Sequence, residues 1–191
     1  MQLRNIARVQ SGHHSRGKIE PNKDGTHYLL QARDVDAYRF SYRPDRLIRF
    51  SPALSRKDWI LQSGDVLFMA RGARNYSVIL HEIPDLTVAA ACFFIVRVSS
   101  EKVMPGYLCW YLNQPPCQHY LSRHSGKGVH MPVVRRTVME NIDIPLSPLE
   151  TQKIIVNINA LMQKEEELTG KLVEKRKALL AATCLKAVRD N

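Results

Sequence analysis

Short apolar runs separated by turn residues fill the first part of the chain, and one uninterrupted helical periodicity fills the rest. The runs YLLQA at 28–32, RLIRF at 46–50, DVLFMA at 65–70, SVIL at 77–80 and TVAAACFFIVRV at 87–98 have the length and bounding residues of strands. YLCWYL at 107–112 is entered through Pro105-Gly106 and stopped by Pro115-Pro116; because Leu108, Tyr111 and Leu112 recur at helical spacing, it predicts a short buried helix. Residues 1–146 therefore read as an α+β domain, with a twisted mixed β-sheet and short helices.

Residues 147–191 read as one long helix. Ser147 can serve as its N-cap, Pro148 fits the first helical position, and Glu150 at the third completes a capping box. From Ile154 an alternating spacing of four and three selects Ile158, Leu161, Glu165, Leu168, Leu172, Lys175, Leu179 and Ala182, a coiled-coil seam broken at Glu165 and Lys175. At about 1.5 Å per residue the rod is roughly 58 Å long, too long to lay all its apolar positions on one small domain, so it calls for a partner helix.

Charge changes the picture. Lys and Arg number 28 against 18 Asp and Glu, a net charge of +10, and a basic chain of this size usually meets nucleic acid, an anionic membrane or an acidic protein. The first sixty residues alone carry twelve basic and six acidic groups. MQLRNIARVQ has charges where a signal peptide needs an apolar core, and the longest apolar run is far too short to span a bilayer, so a cytoplasmic protein is expected. Cys92 and Cys109 lie inside apolar runs, where buried thiols rather than disulfides are expected.

The order of these elements resembles a target-recognition domain with its helix from the DNA-specificity subunits of type I restriction-modification systems. The resemblance is carried by LRNIARVQSG at 3–12 with YLLQARDVD at 28–36, by GDVLFMARG at 64–72, and by HSGKGVHMPVV at 124–134 running into NIDIPLSPLETQKIIVNI at 141–158. The junction IDIPLSPLETQKII, with its Pro-x-x-Pro-Leu-Glu-x-Gln between strand and helix, is the most specific of them. A full family member repeats domain and helix twice, and one set is found here, so the resemblance is to a half-length subunit. It implies sequence-specific double-stranded DNA recognition without catalysis or cofactor, on behalf of a separate methyltransferase subunit and, in some systems, a restriction subunit. In the family two antiparallel helices fix the distance between two DNA-reading domains. A half-length chain would restore that arrangement as a homodimer, through Ile158, Leu161, Leu168, Leu172 and Leu179, and would read a palindromic, split target. A rod of roughly 58 Å would span on the order of 17 base pairs.

The residues themselves supply candidates for the contact. Arg71 and Arg74, on a glycine-containing loop after a strand, suit a bidentate grip on phosphate or a pairing with guanine; capping a carboxylate such as Asp65 is the competing reading. In the loop 124–130, two glycines permit close backbone approach, with Lys127 and His130 supplying charge, and Arg135 and Arg136 follow. His13, His14, Arg16 and Lys18 form a glycine-bounded basic loop. In AYRFSYR, Arg39 lies on the parity opposite Tyr38, Phe40 and Tyr42, so a strand here would be aromatic on one face and basic on the other. Arg33 sits beside Asp34 and Asp36, where an internal ion pair is expected.

Enzyme motifs are incomplete. Asn113-Gln114-Pro115-Pro116-Cys117 departs from the Asn-Pro-Pro-aromatic pattern of amino-methyltransferases and reads as a helix stop. Pro84-Asp85 lacks the acid-x-lysine of a nuclease, and C-x7-C-x-H-x4-H over Cys109, Cys117, His119 and His124 matches no usual zinc spacing. Ser125-Gly126-Lys127-Gly128 is no phosphate-binding loop of the Walker type. Besides a specificity subunit, the sequence leaves open a nucleic-acid enzyme and a coiled-coil interaction protein whose basic head binds an acidic partner or DNA non-specifically.

Overall fold

The computed structural model describes residues 1–189 except 16, 18, 53–55 and 125–132. By contact density the chain divides into two compact units, Met1–Lys153 and Ile154–Asn191.

In the first unit a four-stranded antiparallel sheet runs in the order β1 (Ala7–Ser11), β9 (Phe93–Val98), β6 (Val66–Met69), β7 (Ser77–Ile79). β6 is buried at all four positions, which explains its unbroken apolar run. A three-stranded mixed sheet joins β5 (Ile48–Phe50), β2 (His27–Leu30) and β8 (Thr87–Ala89), with β2 and β8 parallel. β3 (Val35–Asp36) and β4 (Ser41–Tyr42) form a two-residue ladder. The main core gathers Leu30, Leu67, Val78, Leu80, Phe93 and Ile95 between the sheets, and a smaller one closes over Leu29, Phe50 and Val88.

The run at 87–98 is two strands in two sheets, not one. After β8 the chain turns at Ala90, whose carbonyl accepts the Phe93 N–H at 3.0 Å, and re-enters the other sheet as β9. Gly12 permits the neighbouring crossing: a Cβ there would lie 2.3 Å from the Ala90 carbonyl oxygen.

Helices cover one side. α1 (Pro105–Leu112) is the predicted helix, tied to β7 by Asn113, whose side chain accepts from the Ser77 N–H at 2.8 Å and donates to the Ser77 carbonyl at 2.9 Å. Pro115 and Pro116 do more than stop α1. They open α2 (Pro115–His124), because proline fits a first turn whose N–H groups have no intrahelical partner. α3 (Arg136–Glu140) follows, and the predicted strand at 142–144 is reduced to one bridge, Gln2 with Asp143.

α4 runs Leu149–Arg189, 41 residues or about 60 Å. It starts one residue later than the capping box required: the Pro148 carbonyl takes the Gln152 N–H at 3.0 Å, and the Ser147 carbonyl accepts from Gln152 Nε2 at 2.8 Å. Fully buried Gln152 also accepts the Met104 N–H at 2.9 Å and donates to the Lys102 carbonyl at 2.9 Å. One side chain thus satisfies three backbone groups that would otherwise be orphaned at the junction. Of the seam, Ile158, Leu161, Leu168, Leu172 and Leu179 are all exposed. Among the described residues no helix is long and apolar enough to cross a membrane.

Candidate nucleic-acid interface

Strand polarity decides which loops meet. β1 ends where β9 begins, through the pairing of Ser11 with Phe94, and β6 ends there too, through Met69 with Phe93. β7 starts beside them, with Ser77 opposite Phe68. The exit of β1, the tip between β6 and β7 and the approach to β9 therefore share one end of the sheet. A fourth segment joins them: Val133 bridges Arg71, and the Val134 N–H donates to the Ala70 carbonyl at 2.9 Å. The three basic segments singled out in the sequence, around 13–18, 71–74 and 124–136, thus lead to or leave the same place. Arg16, Lys18, Lys127 and His130 lie outside the described residues.

At the tip, Arg71 and Arg74 are exposed. The backbone of Arg71 is fixed by its N–H to the Cys92 carbonyl at 3.1 Å, and the loop is closed by Asn75 Nδ2 donating to the Met69 carbonyl at 2.8 Å. Neither arginine caps Asp65. That carboxylate is buried at the other end of the sheet, gripped by Arg97 through two contacts of 2.7 Å, and it also accepts the Gln62 N–H at 2.8 Å. The hydrogen bond to Asp65 raises the Arg97 pKa. The Arg74 guanidinium instead lies over the rings of Tyr38 and Phe40, 5.7 and 5.8 Å from their centroids. A ring face supports the cation and leaves its N–H edge open to an acceptor. Gly72 is not needed for a left-handed turn; that conformation belongs to Gly64, at φ 88°.

The ring pair exists because AYRFSYR is strand only at Ser41–Tyr42, and its first four residues turn. Asp36 Oδ1 accepts the N–H groups of Tyr38 at 2.9 Å and Arg39 at 3.0 Å, a side-chain turn that diverts the chain, and Phe40 takes the left-handed φ of 48°. The alternation of aromatic and basic faces expected there is lost. Arg39 pairs with Asp36 at 3.9 Å instead, and Arg33 with Asp34 at 4.0 Å.

Other candidates are spent or displaced. Arg136 binds Glu140 one turn on, at 2.7 Å, while Arg135 is exposed as the N-cap residue of α3. His13 is buried between Phe50 and Trp59, with its backbone N–H on the Ala89 carbonyl, so it belongs to the support and not to the exposed loop. Burial first, then His14 and His27, lower its pKa. Cys92 is half-buried rather than buried, and Cys184 is exposed; all four cysteines are free.

A groove of about 620 Å³ lies at the opposite end of the sheet, between 60–63 and 81–86. Glu82 and Asp85 line it, which gives it the wrong charge for a phosphate. Among the described residues no group of His, Cys, Asp or Glu side chains is arranged to hold a metal ion.

No protein-family model matches the sequence, and no curated protein matches it. Solved structures do. The HsdS subunit from Thermoanaerobacter tengcongensis superposes with a TM-score of 0.55 at 20% identity, over 86% of this chain and 36% of that one. The S subunit of a type I restriction-modification system from M. genitalium gives 0.59 at 9% identity, over 91% and 41%. The fold is that of type I specificity subunits. A chain from work on complex assembly and conformational transition of the type I R-M system shares the specificity-subunit fold with a TM-score of 0.60 at 18% identity, over 86% and 37%. The present chain spans about two fifths of the length of each neighbour.

Proposed function

We propose that this chain recognises double-stranded DNA as the specificity component of a type I-like restriction-modification system, lending sequence selection to a methyltransferase subunit and, where present, a restriction subunit. It performs no catalysis of its own. Two copies paired through α4 would stand in for the two-domain arrangement of a full-length subunit. The observation that carries the reading is the convergence at one sheet end of the β1 exit, the Arg71–Arg74 tip and the 133–136 segment, with two arginines that enter no ion pair among the described residues. Fixed cations on a rigid sheet end provide register on a phosphate backbone, and a guanidinium edge open to an acceptor can address guanine in the major groove.

The test is selection of bound duplexes from a random-sequence pool, followed by titration over a range of salt. Enrichment of a defined motif with log K falling steeply against log salt is the expected result. A nearly flat salt slope with no enriched sequence would instead favour a coiled-coil interaction protein whose basic head binds an acidic partner.

A further inference from the structure

Two features of α4 look like defects. Its exposed apolar seam is interrupted by Glu165 and by Lys175, both exposed. The ion pairs recorded within the helix are made by Glu167 with Lys164 and Lys171, and they leave both interrupting residues out. In heptad terms Glu165 falls at an a position and Lys175 at a d position, with Leu172 and Leu179 at a and Leu161 and Leu168 at d. An antiparallel pair of helices layers a of one against d of the other.

We propose that α4 pairs with α4 of a second copy of this chain, antiparallel, in the single register that sets Glu165 of each copy against Lys175 of the other. In that register Leu161 faces Leu179, Leu168 faces Leu172 and Ile158 faces Ala182, so every apolar layer between Ile158 and Ala182 is matched, with Ile154 meeting Lys186 only at the outer end of the seam, and each ion pair occurs twice about a twofold point at Gly170. Alternatives meet charge conflicts. A parallel pair sets Glu165 on Glu165 and Lys175 on Lys175 within the seam. Sliding the antiparallel pair by one heptad sets Glu165 against Leu168 or Ala182, and Lys175 against Ile158 or Leu172, so each charge is buried on an apolar partner. Lys171 approaches its own copy along the flank of the seam, and Glu167 neutralises it within each helix. The polar layers therefore fix orientation and register, as isolated polar seam residues do in coiled coils. Because the seam complements itself, a second copy is the occupant it fits. The pairing would supply the two-site geometry of the function proposed above, but its test involves no DNA, so either reading can fail alone.

Sedimentation of the full chain reads the affinity. Glu165→Lys and Lys175→Glu are each expected to weaken the dimer about tenfold or more, and the combined exchange to restore it. Cys184 supplies an independent ruler. It is exposed, whereas Cys109 and Cys117 are buried with thiols pushed up to about 12, so a spin label in a Cys92→Ser background reports on Cys184. It lies 14 positions (184 − 170) beyond the twofold point, so the two labels should be about 42 Å apart along the axis. A slipped heptad changes that separation by about 10 Å, and a parallel pair brings the labels within about 25 Å. A monomer at every concentration, a double exchange that fails to restore affinity, or a distance of the slipped or parallel kind would overturn the proposal.

Discussion

Arg71 and Arg74 differ from Arg39 and Arg136 in what already holds their charge. The latter pair face Asp36 and Glu140, whereas Arg74 rests on aromatic rings and Arg71 on its backbone alone. Arg71→Ala and Arg74→Ala should each weaken duplex binding by about 1–3 kcal/mol if the side chain pairs with a base, with relaxed preference at one position. Uniform loss across sequences and a shallower salt slope would mark a phosphate contact. Arg136→Ala should change binding little, because Glu140 already answers its charge. These arginines were legible in the sequence, since charge beside a glycine after a strand is a local pattern. Arg97 was not, because its partner Asp65 lies 32 residues away. Nor was the burial of His13, whose aromatic walls come from Phe50 and Trp59. That burial has a pH consequence. The folded-state pKa of His13 is lowered, so its neutral ring supports the fold fully above the unfolded value of about 6.5, and the contribution is lost as pH falls below it. Thermal unfolding at pH 7.5 and 5.5 should show a larger drop in Tm for the wild type than for His13→Leu; equal drops would clear His13 of the effect.

Most elements announced themselves by periodicity, and where they departed a specific contact was responsible. The single apolar run at 87–98 became two strands because periodicity cannot tell which sheet an apolar residue joins; the hydrogen bond from Phe93 to Ala90 makes the turn. Of the strand considered over AYRFSYR only Ser41–Tyr42 remains, after the Asp36 turn, and the helix stop at Pro115-Pro116 proved also to be a helix start. At the head of α4 the anchor is Gln152 rather than Ser147. Gln152→Ala should cost about 1–3 kcal/mol, since it removes a buried amide and leaves the half-buried Met104 N–H and the Lys102 and Ser147 carbonyls without their partner. Chemical denaturation measures this. A loss near zero would mean that water reaches the site and replaces the amide.

For the molecule as a whole, the exposed seam predicts self-association. Leu168→Glu with Leu172→Glu sets carboxylates in facing layers and should give a monomer by light scattering, with the circular dichroism of the folded domain retained. A mass that stays dimeric would remove α4 as the interface. Sequence alone foresaw the rod and its seam, because the spacing persists without proline. It did not foresee that three separated basic segments share one sheet end, since that depends on the order β1-β9-β6-β7 and on the bridge from Arg71 to Val133.

That sheet has two ends with different duties. At one, buried Asp65 is locked to Arg97 beneath the Gln62 turn; at the other, the connections project after backbone hydrogen bonding is complete. Residues that hold the fold and residues that face outward are thus physically segregated, and selection can act on one group while sparing the other. The scaffold is modular in this sense: a tip such as Arg71–Arg74 can be exchanged for another of the same span, with Asn75 and Cys92 keeping its ends in place. Chimaeras that carry foreign tips should unfold near the temperature of the parent while differing in what they bind.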